Sequence, residues 1–272
     1  MIEKYVQKSI VCCAAFGFFL TYSFADSRKA LNDQIVSTVA DTRITPCHSV
    51  CDLESYVTTL TPYDLVVFDF DNTLFRPASP DRVGGDEWVR SGVAYFIKQL
   101  KIEYKDAFKI IYPSYSKINE TVDIKPVEDE RTLKFLKKVQ ASGCRILILT
   151  ARTIIDQTFK QIKNIDFDFT KNAPWQDDIH FSLVSEKKFC DYKKGFLFCG
   201  SNNKGEALFA FLQQIKHVPQ SIFFMDDRKE NVEGVQQACS ARNTPFKGIH
   251  YVYLEEEIKD YKFDPQTLVA SA

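Results

Sequence analysis

The stretch from Asp64 to Phe75, Asp-Leu-Val-Val-Phe-Asp-Phe-Asp-Asn-Thr-Leu-Phe, limits what this chain can fold into more than any other part of it. An apolar run without polar alternation marks a strand buried on both faces, as in the middle of a parallel sheet. This run stops at two carboxylates, Asp69 and Asp71. Strand side chains alternate between faces, so residues two apart share a side, and the pair is expected together at the strand's carboxyl end. Like charges that close repel unless a cation or a proton donor relieves them. The carboxyl edge of a parallel sheet is also where open α/β folds bind ligands. Taken alone, the stretch fits a solvated strand end as well as it fits a metal site.

The pattern continues downstream. Arg145 to Leu149 reads as a second buried strand closing on Thr150, Ser221 to Met225 as another closing on Asp226 and Asp227, and Ile179 to Val184 and Gly248 to Leu254 as two more. Apolar periodicity predicts helices at Glu128 to Ser142, ended by Gly143, and at Thr153 to Lys163, Lys204 to Lys216 and Glu230 to Ala241. Strands alternating with helices predict an α/β fold. After the first strand, the breaker-rich Arg76 to Gly85 leaves the sheet. The helical, aromatic block from Asp86 to about Lys125, with Trp88, Tyr95, Phe96, Tyr112 and Tyr115, then forms an insert over the sheet's carboxyl edge. A further amphipathic helix is expected from Cys47 to Leu60, following Pro46.

The first 25 residues carry Lys4 and Lys8, an apolar run from Ile10 to Phe24, and small residues at Ser23 and Ala25. This is a signal-peptide pattern, and cleavage is expected after Ala25; the apolar run is short of the about twenty residues that a membrane-spanning helix needs. An exported chain is expected, periplasmic or secreted, with no stable membrane insertion after cleavage. The net charge of −1 and the lack of a long basic tract argue against a nucleic-acid partner. Export permits disulfides among Cys47, Cys51, Cys144, Cys190, Cys199 and Cys239. A two-residue turn at Lys194-Gly195 would set Cys190 opposite Cys199, and a bridge is expected there.

Three more groups could serve the edge where Asp69 and Asp71 stand. Thr150 can face an anion with its hydroxyl, or cap a helix. Lys204, in a helix's first turn, meets the positive end of the macrodipole, which is unfavourable unless its ammonium reaches an anion. Asp227, with Glu230 three residues on, has the spacing of a capping box, whereas Asp226 has no such local role. Several carboxylates around one point call for a hard divalent cation such as Mg²⁺.

With Asp69-Phe70-Asp71-Asn72-Thr73, Thr150, Lys204 and Asp226-Asp227 in this order, the chain resembles the haloacid dehalogenase-like (HAD) superfamily. With its leader, cysteines and late Gly248-Ile249-His250-Tyr251, it also looks like an uncharacterised exported group of that superfamily from Gram-negative bacteria that live in host cells. The resemblance implies a Rossmann-like three-layer sandwich with a central parallel sheet. Its core would comprise residues 26–75 and 130–272, with a helical cap insert at residues 76–129. It implies a phosphomonoester hydrolase in which Asp69 is the nucleophile and Asp71 the acid and base. Thr150 and Lys204 would hold the phosphoryl oxygens. Mg²⁺ would be held by the Asp69 carboxylate, the Asp71 backbone carbonyl, Asp226 and, close behind, Asp227. The partner implied is a small phosphorylated substrate. Arg152 and Asn231 read as surface or supporting residues. A phosphotransferase uses the same groups, and a non-catalytic exported binding or host-interaction protein could retain them.

Overall fold

The structure is a computed structural model and describes residues 44–183 and 189–269. The expected signal peptide, and Val184 at the end of the expected third strand, lie outside the described residues. The described elements, in chain order, are β1 (Thr45–Cys47), α1 (Glu54–Val57), β2 (Leu65–Phe68), β3 (Phe75–Pro77), α2 (Asp86–Leu100), α3 (Tyr104–Ile118), β4 (Ile124–Pro126), α4 (Glu130–Ala141) and β5 (Arg145–Thr150). They continue with α5 (Ile155–Gln161), β6 (Ile179–Ser182), β7 (Phe189–Lys193), β8 (Phe196–Phe198), α6 (Lys204–Gln214), β9 (Ile222–Asp226), α7 (Lys229–Ser240), β10 (Phe246–Tyr251) and α8 (Glu255–Lys259).

Eight of these strands form one sheet in the order β1-β10-β9-β2-β5-β8-β7-β6, parallel except at β7, which runs against both its neighbours. The apolar run of the first motif is the middle of this sheet. β2 pairs with β5 on one side and β9 on the other, in register Val67↔Leu147 and Val67↔Phe224. With neighbours on both edges and helices on both faces, all four β2 residues are fully buried. Alternate residues serve opposite cores. Val66 and Phe68 pack with Phe135, Leu136 and Val139 of α4, and Leu65 and Val67 with Leu208, Phe211 and Val235 of α6 and α7. The three layers follow from that alternation.

The two short strands outside the sheet have a different task. β3 and β4 pair antiparallel, Phe75↔Pro126 to Pro77↔Ile124, and form a two-stranded neck at the ends of the insert. Within the insert α2 and α3 close on Trp88, Val93, Ala107 and Ile111, a small core separate from those of the sheet.

Local sequence misleads at three places. Residues 45–57 are not one helix: β1 adds to the sheet edge beside β10, and Ser49 then caps a 3₁₀ turn at Val50–Leu53. The backbone pairing β1 gains there is with a strand some two hundred positions away, which periodicity cannot sense. The expected capping box at Asp227 and Glu230 does not form, since α7 has Arg228 at its N-cap with no side-chain cap, and Asp226 accepts the Arg228 N–H instead. The Lys194-Gly195 turn is as expected. Both residues are left-handed (φ 49° and 86°), and a Cβ on Gly195 would meet the Phe169 carbonyl at 2.2 Å. Its register, Asp191↔Phe198 to Lys193↔Phe196, continues outward to bring Cys190 opposite Cys199. The bridge itself is absent: both are buried free thiols, with Cys199 Sγ donating to the Thr150 carbonyl at 3.2 Å.

Candidate active site

The chain leaves β2 after Phe68 and turns tightly over the sheet's carboxyl edge. Asp69 donates its N–H to the Met225 carbonyl at 2.9 Å, which ties the start of the turn to the end of β9. Leu74 and Phe75 both return N–H bonds to the Phe70 carbonyl, and Asn72 adopts the left-handed conformation that asparagine tolerates better than most residues (φ 60°). The buried Asn72 amide donates to Glu87 Oε2 of the insert at 2.9 Å. Because this is a turn and no longer a strand, Asp69 and Asp71 do not share one partner. Each carboxylate meets its own cation.

Asp69 is 5 % exposed and Asp226 fully buried, and Lys204, 5 % exposed, reaches both. Its Nζ donates to Asp69 Oδ1 in a very short contact and to Asp226 Oδ2 at 2.7 Å. The ammonium that is badly placed for its own helix dipole is thus satisfied by two anions. Asn203 caps that helix by accepting the Glu206 N–H, which fixes where Lys204 begins. Asp226 is further held by the Arg228 N–H at 2.9 Å and the Asn231 amide at 3.0 Å, so Asn231 supports the site instead of facing solvent. Thr73 links the two halves: its hydroxyl donates to Asp69 Oδ2 at 3.1 Å and accepts the Asp227 N–H at 3.0 Å.

One ammonium does not balance these acids. Burial, with Asp226 and Asp71 adding repulsion against the pull of Lys204, pushes Asp69 up to about 7. Burial, Asp226 and Asp69 raise Asp227 well above the carboxylate range. Burial opposes the charge on Lys204, yet Asp226 and Asp69 together hold its pKa above the usual lysine range. Among the described residues, Asp69, Asp226 and Asp227 are the group that could share an ion, each offering an oxygen within 4.8 Å of the others. Three oxygen donors with excess negative charge suit a hard divalent cation, so these residues fit Mg²⁺. The Asp71 carboxylate is not in that group and faces elsewhere.

Asp71 is gripped by Arg152. Nε lies 2.8 Å from Oδ2 and Nη2 2.7 Å from Oδ1, a two-point fork, while Arg152 Nη1 is anchored by Gln161 Oε1 at 2.6 Å. The guanidinium also lies over the Phe70 ring, 4.6 Å from its centroid. Arg152 is therefore a buried member of the site. The sequence signal for it was its place two residues after Thr150, just beyond the end of a strand that points at the same sheet edge. Thr150 is fully buried at the end of β5 and its hydroxyl accepts the Arg152 N–H at 3.1 Å, orienting the turn that presents the arginine. It caps no helix, since α5 begins at Ile155.

The insert reaches this edge through Asp86 at the start of α2 and Tyr115 on α3. Burial raises Asp86, with Arg90 opposing and Asp71 adding to the rise, and burial raises Tyr115, with Arg152 and Asp71 among its charged neighbours. Neither residue stands out in sequence as a site residue, because each is brought to the site by the neck.

The sequence profile of a family described as "Protein of unknown function (DUF2608)" matches residues 46–270. Proteins from Chlamydia muridarum and Chlamydia trachomatis, each titled "Putative outer membrane protein", are 28% identical over 189 residues, 68% of either chain. A haloacid dehalogenase-like family hydrolase from Streptococcus pneumoniae aligns with 76% of this chain and 93% of its own, at 15% identity and a TM-score of 0.41. No helix among the described residues is long and apolar enough to cross a membrane.

Proposed function

We propose, for a chain that belongs to the DUF2608 family of proteins of unknown function, that it is a HAD-like, Mg²⁺-dependent phosphomonoester hydrolase working through an aspartyl-phosphate. The observation that carries this reading is Lys204 bridging Asp69 and Asp226, which gathers residues from the turn after β2, from α6 and from β9 at one point of the sheet's carboxyl edge. Asp69 attacks phosphorus, and the bond from phosphorus to the ester oxygen breaks as Asp71 gives that oxygen a proton. Asp71 then takes a proton from water as the water attacks phosphorus, and the bond to Asp69 breaks to release phosphate. Lys204 and the Thr150 hydroxyl offer donors to the phosphoryl oxygens. Asp69, Asp226 and Asp227 would hold Mg²⁺, with the Asp71 carbonyl as a further oxygen. The ion supplies Lewis-acid polarisation of the phosphoryl group and neutralises its charge. The insert at residues 76–129 limits the site to small substrates by covering it.

The test is phosphate release from p-nitrophenyl phosphate with and without Mg²⁺. Activity should need the ion and vanish in Asp69→Asn; an undiminished variant would refute the nucleophile. One observation favours a second, non-catalytic reading: Arg152 occupies both oxygens of the carboxylate assigned as the acid. Binding of phosphate and Mg²⁺ without turnover across sugar phosphates, nucleotides and phospholipid head groups would select it. Phosphoryl transfer to an added alcohol would instead mark a transferase. The N-terminal leader pattern and the titles of the chlamydial relatives support export to the cell envelope.

A further inference from the structure

Four aromatic residues follow one face of α3. Tyr104, Phe108, Tyr112 and Tyr115 are spaced by four, four and three, and successive rings lie 6.3, 5.5 and 6.4 Å apart. The row has a wet end and a half-buried end. Tyr104 is 62 % exposed, whereas Tyr115 has Arg152 and Asp71 as charged neighbours. Phe108 and Tyr115 also pack on the insert's own core, and Tyr112 is not part of that cluster. The Tyr112 hydroxyl instead lies 3.5 Å from Thr153 Oγ1, on the turn that follows Thr150. Thr153 stands beside Gly200, where a Cβ would come 3.5 Å from the threonine methyl. A nearby pair, Ser116 Oγ and Gln157 Nε2 at 3.4 Å, holds α3 against the same segment. Tyr112 thus overhangs the rim between the loops after β5 and β8, half-buried, with its hydroxyl in a contact too long to hold it firmly.

Resting on the phosphatase reading above, we infer that this row receives the leaving group, and that the substrate is a phosphomonoester whose alcohol carries a planar aromatic ring. Continuity decides the occupant: the row starts in solvent and ends beside Asp71, the group assigned to protonate the leaving oxygen. Aromatic faces prefer a ring in offset or edge contact over an aliphatic chain of equal area.

Binding of inert phosphonates to the full chain in Mg²⁺, measured by titration calorimetry, tests this without turnover. Phenylphosphonate should bind on the order of tenfold tighter than methylphosphonate, and tighter than cyclohexylphosphonate, which is as apolar but not flat. Tyr112→Ala should remove the phenyl advantage and leave methylphosphonate affinity unchanged, while Tyr112→Phe keeps both. Equal affinities in the unmodified protein, no binding of either, or an equal loss for both ligands in Tyr112→Ala would overturn the inference. Phosphate release without any ring preference would sink this inference alone. Ring preference without phosphate release from any ester would sink the hydrolase reading alone.

Discussion

Arg152 and Asp71, 81 positions apart, meet through two parallel hydrogen bonds of 2.8 and 2.7 Å, and the arginine is pinned from behind by Gln161 and from one face by Phe70. The pair sets the aim of the carboxylate assigned as acid and base, so the fork geometry matters as much as the charge. Arg152→Gln leaves a largely buried carboxylate without its cation. It should lose on the order of 3 kcal/mol in urea unfolding and most of the activity. Arg152→Lys keeps the charge without the fork and should fall between. Wild-type stability in Arg152→Gln would show that the pair contributes nothing.

A pH dependence follows from Asp69. Burial raises its folded pKa to about 7 from an ordinary value of 3.8, so between those values the folded state holds more protons than the unfolded state. Its contribution to stability is therefore fully present below pH 3.8 and is lost as pH rises through about 7. In EDTA, the melting temperature of the wild type should fall more steeply from pH 5 to pH 8 than that of Asp69→Asn. Parallel profiles for the two proteins would remove the effect.

Mg²⁺ should act in the opposite direction. An ion that binds only the folded state adds about 2.7 kcal/mol at a hundred times its Kd. Thermal shift in MgCl₂ should rise for the wild type, vanish in Asp226→Asn and weaken in Asp227→Asn, which stands nearer the rim. A full shift in Asp226→Asn would place the ion elsewhere.

Glu128 offers a control outside the acidic group of Asp69, Asp226 and Asp227. It is 4 % exposed and accepts from Tyr251 Oη at 2.5 Å, Ser49 Oγ at 2.7 Å and the Val50 N–H at 2.6 Å, tying the end of β10 and the 3₁₀ turn after β1 to the start of α4. Glu128→Ala strands three donors and should cost roughly 3 kcal/mol, with little change in KM. Selective loss of activity with intact stability would contradict a purely structural role.

Much of this protein is legible in one dimension. Strands such as Leu65–Phe68 and Ile222–Asp226 are buried on both faces and read as continuous apolar runs, and the helices between them keep a 3.6-residue period. The chemistry that ends those strands, Asp69, Asp71, Thr150 and Asp226, with Lys204 opening α6, is therefore visible by position alone. What sequence could not assign is which cation serves which anion. Lys204 goes to Asp69 and Asp226, and Arg152, read first as a surface or supporting residue, goes to Asp71, because the turn after β2 sends the two carboxylates apart. The same holds for β1, whose strand conformation depends on β10, and for Tyr112 and Asp86, which the neck carries to the site. Local propensity and periodicity report only on neighbours within a few residues, whereas ion pairing, edge pairing and overhang are fixed by contacts between segments that meet only when the sheet closes.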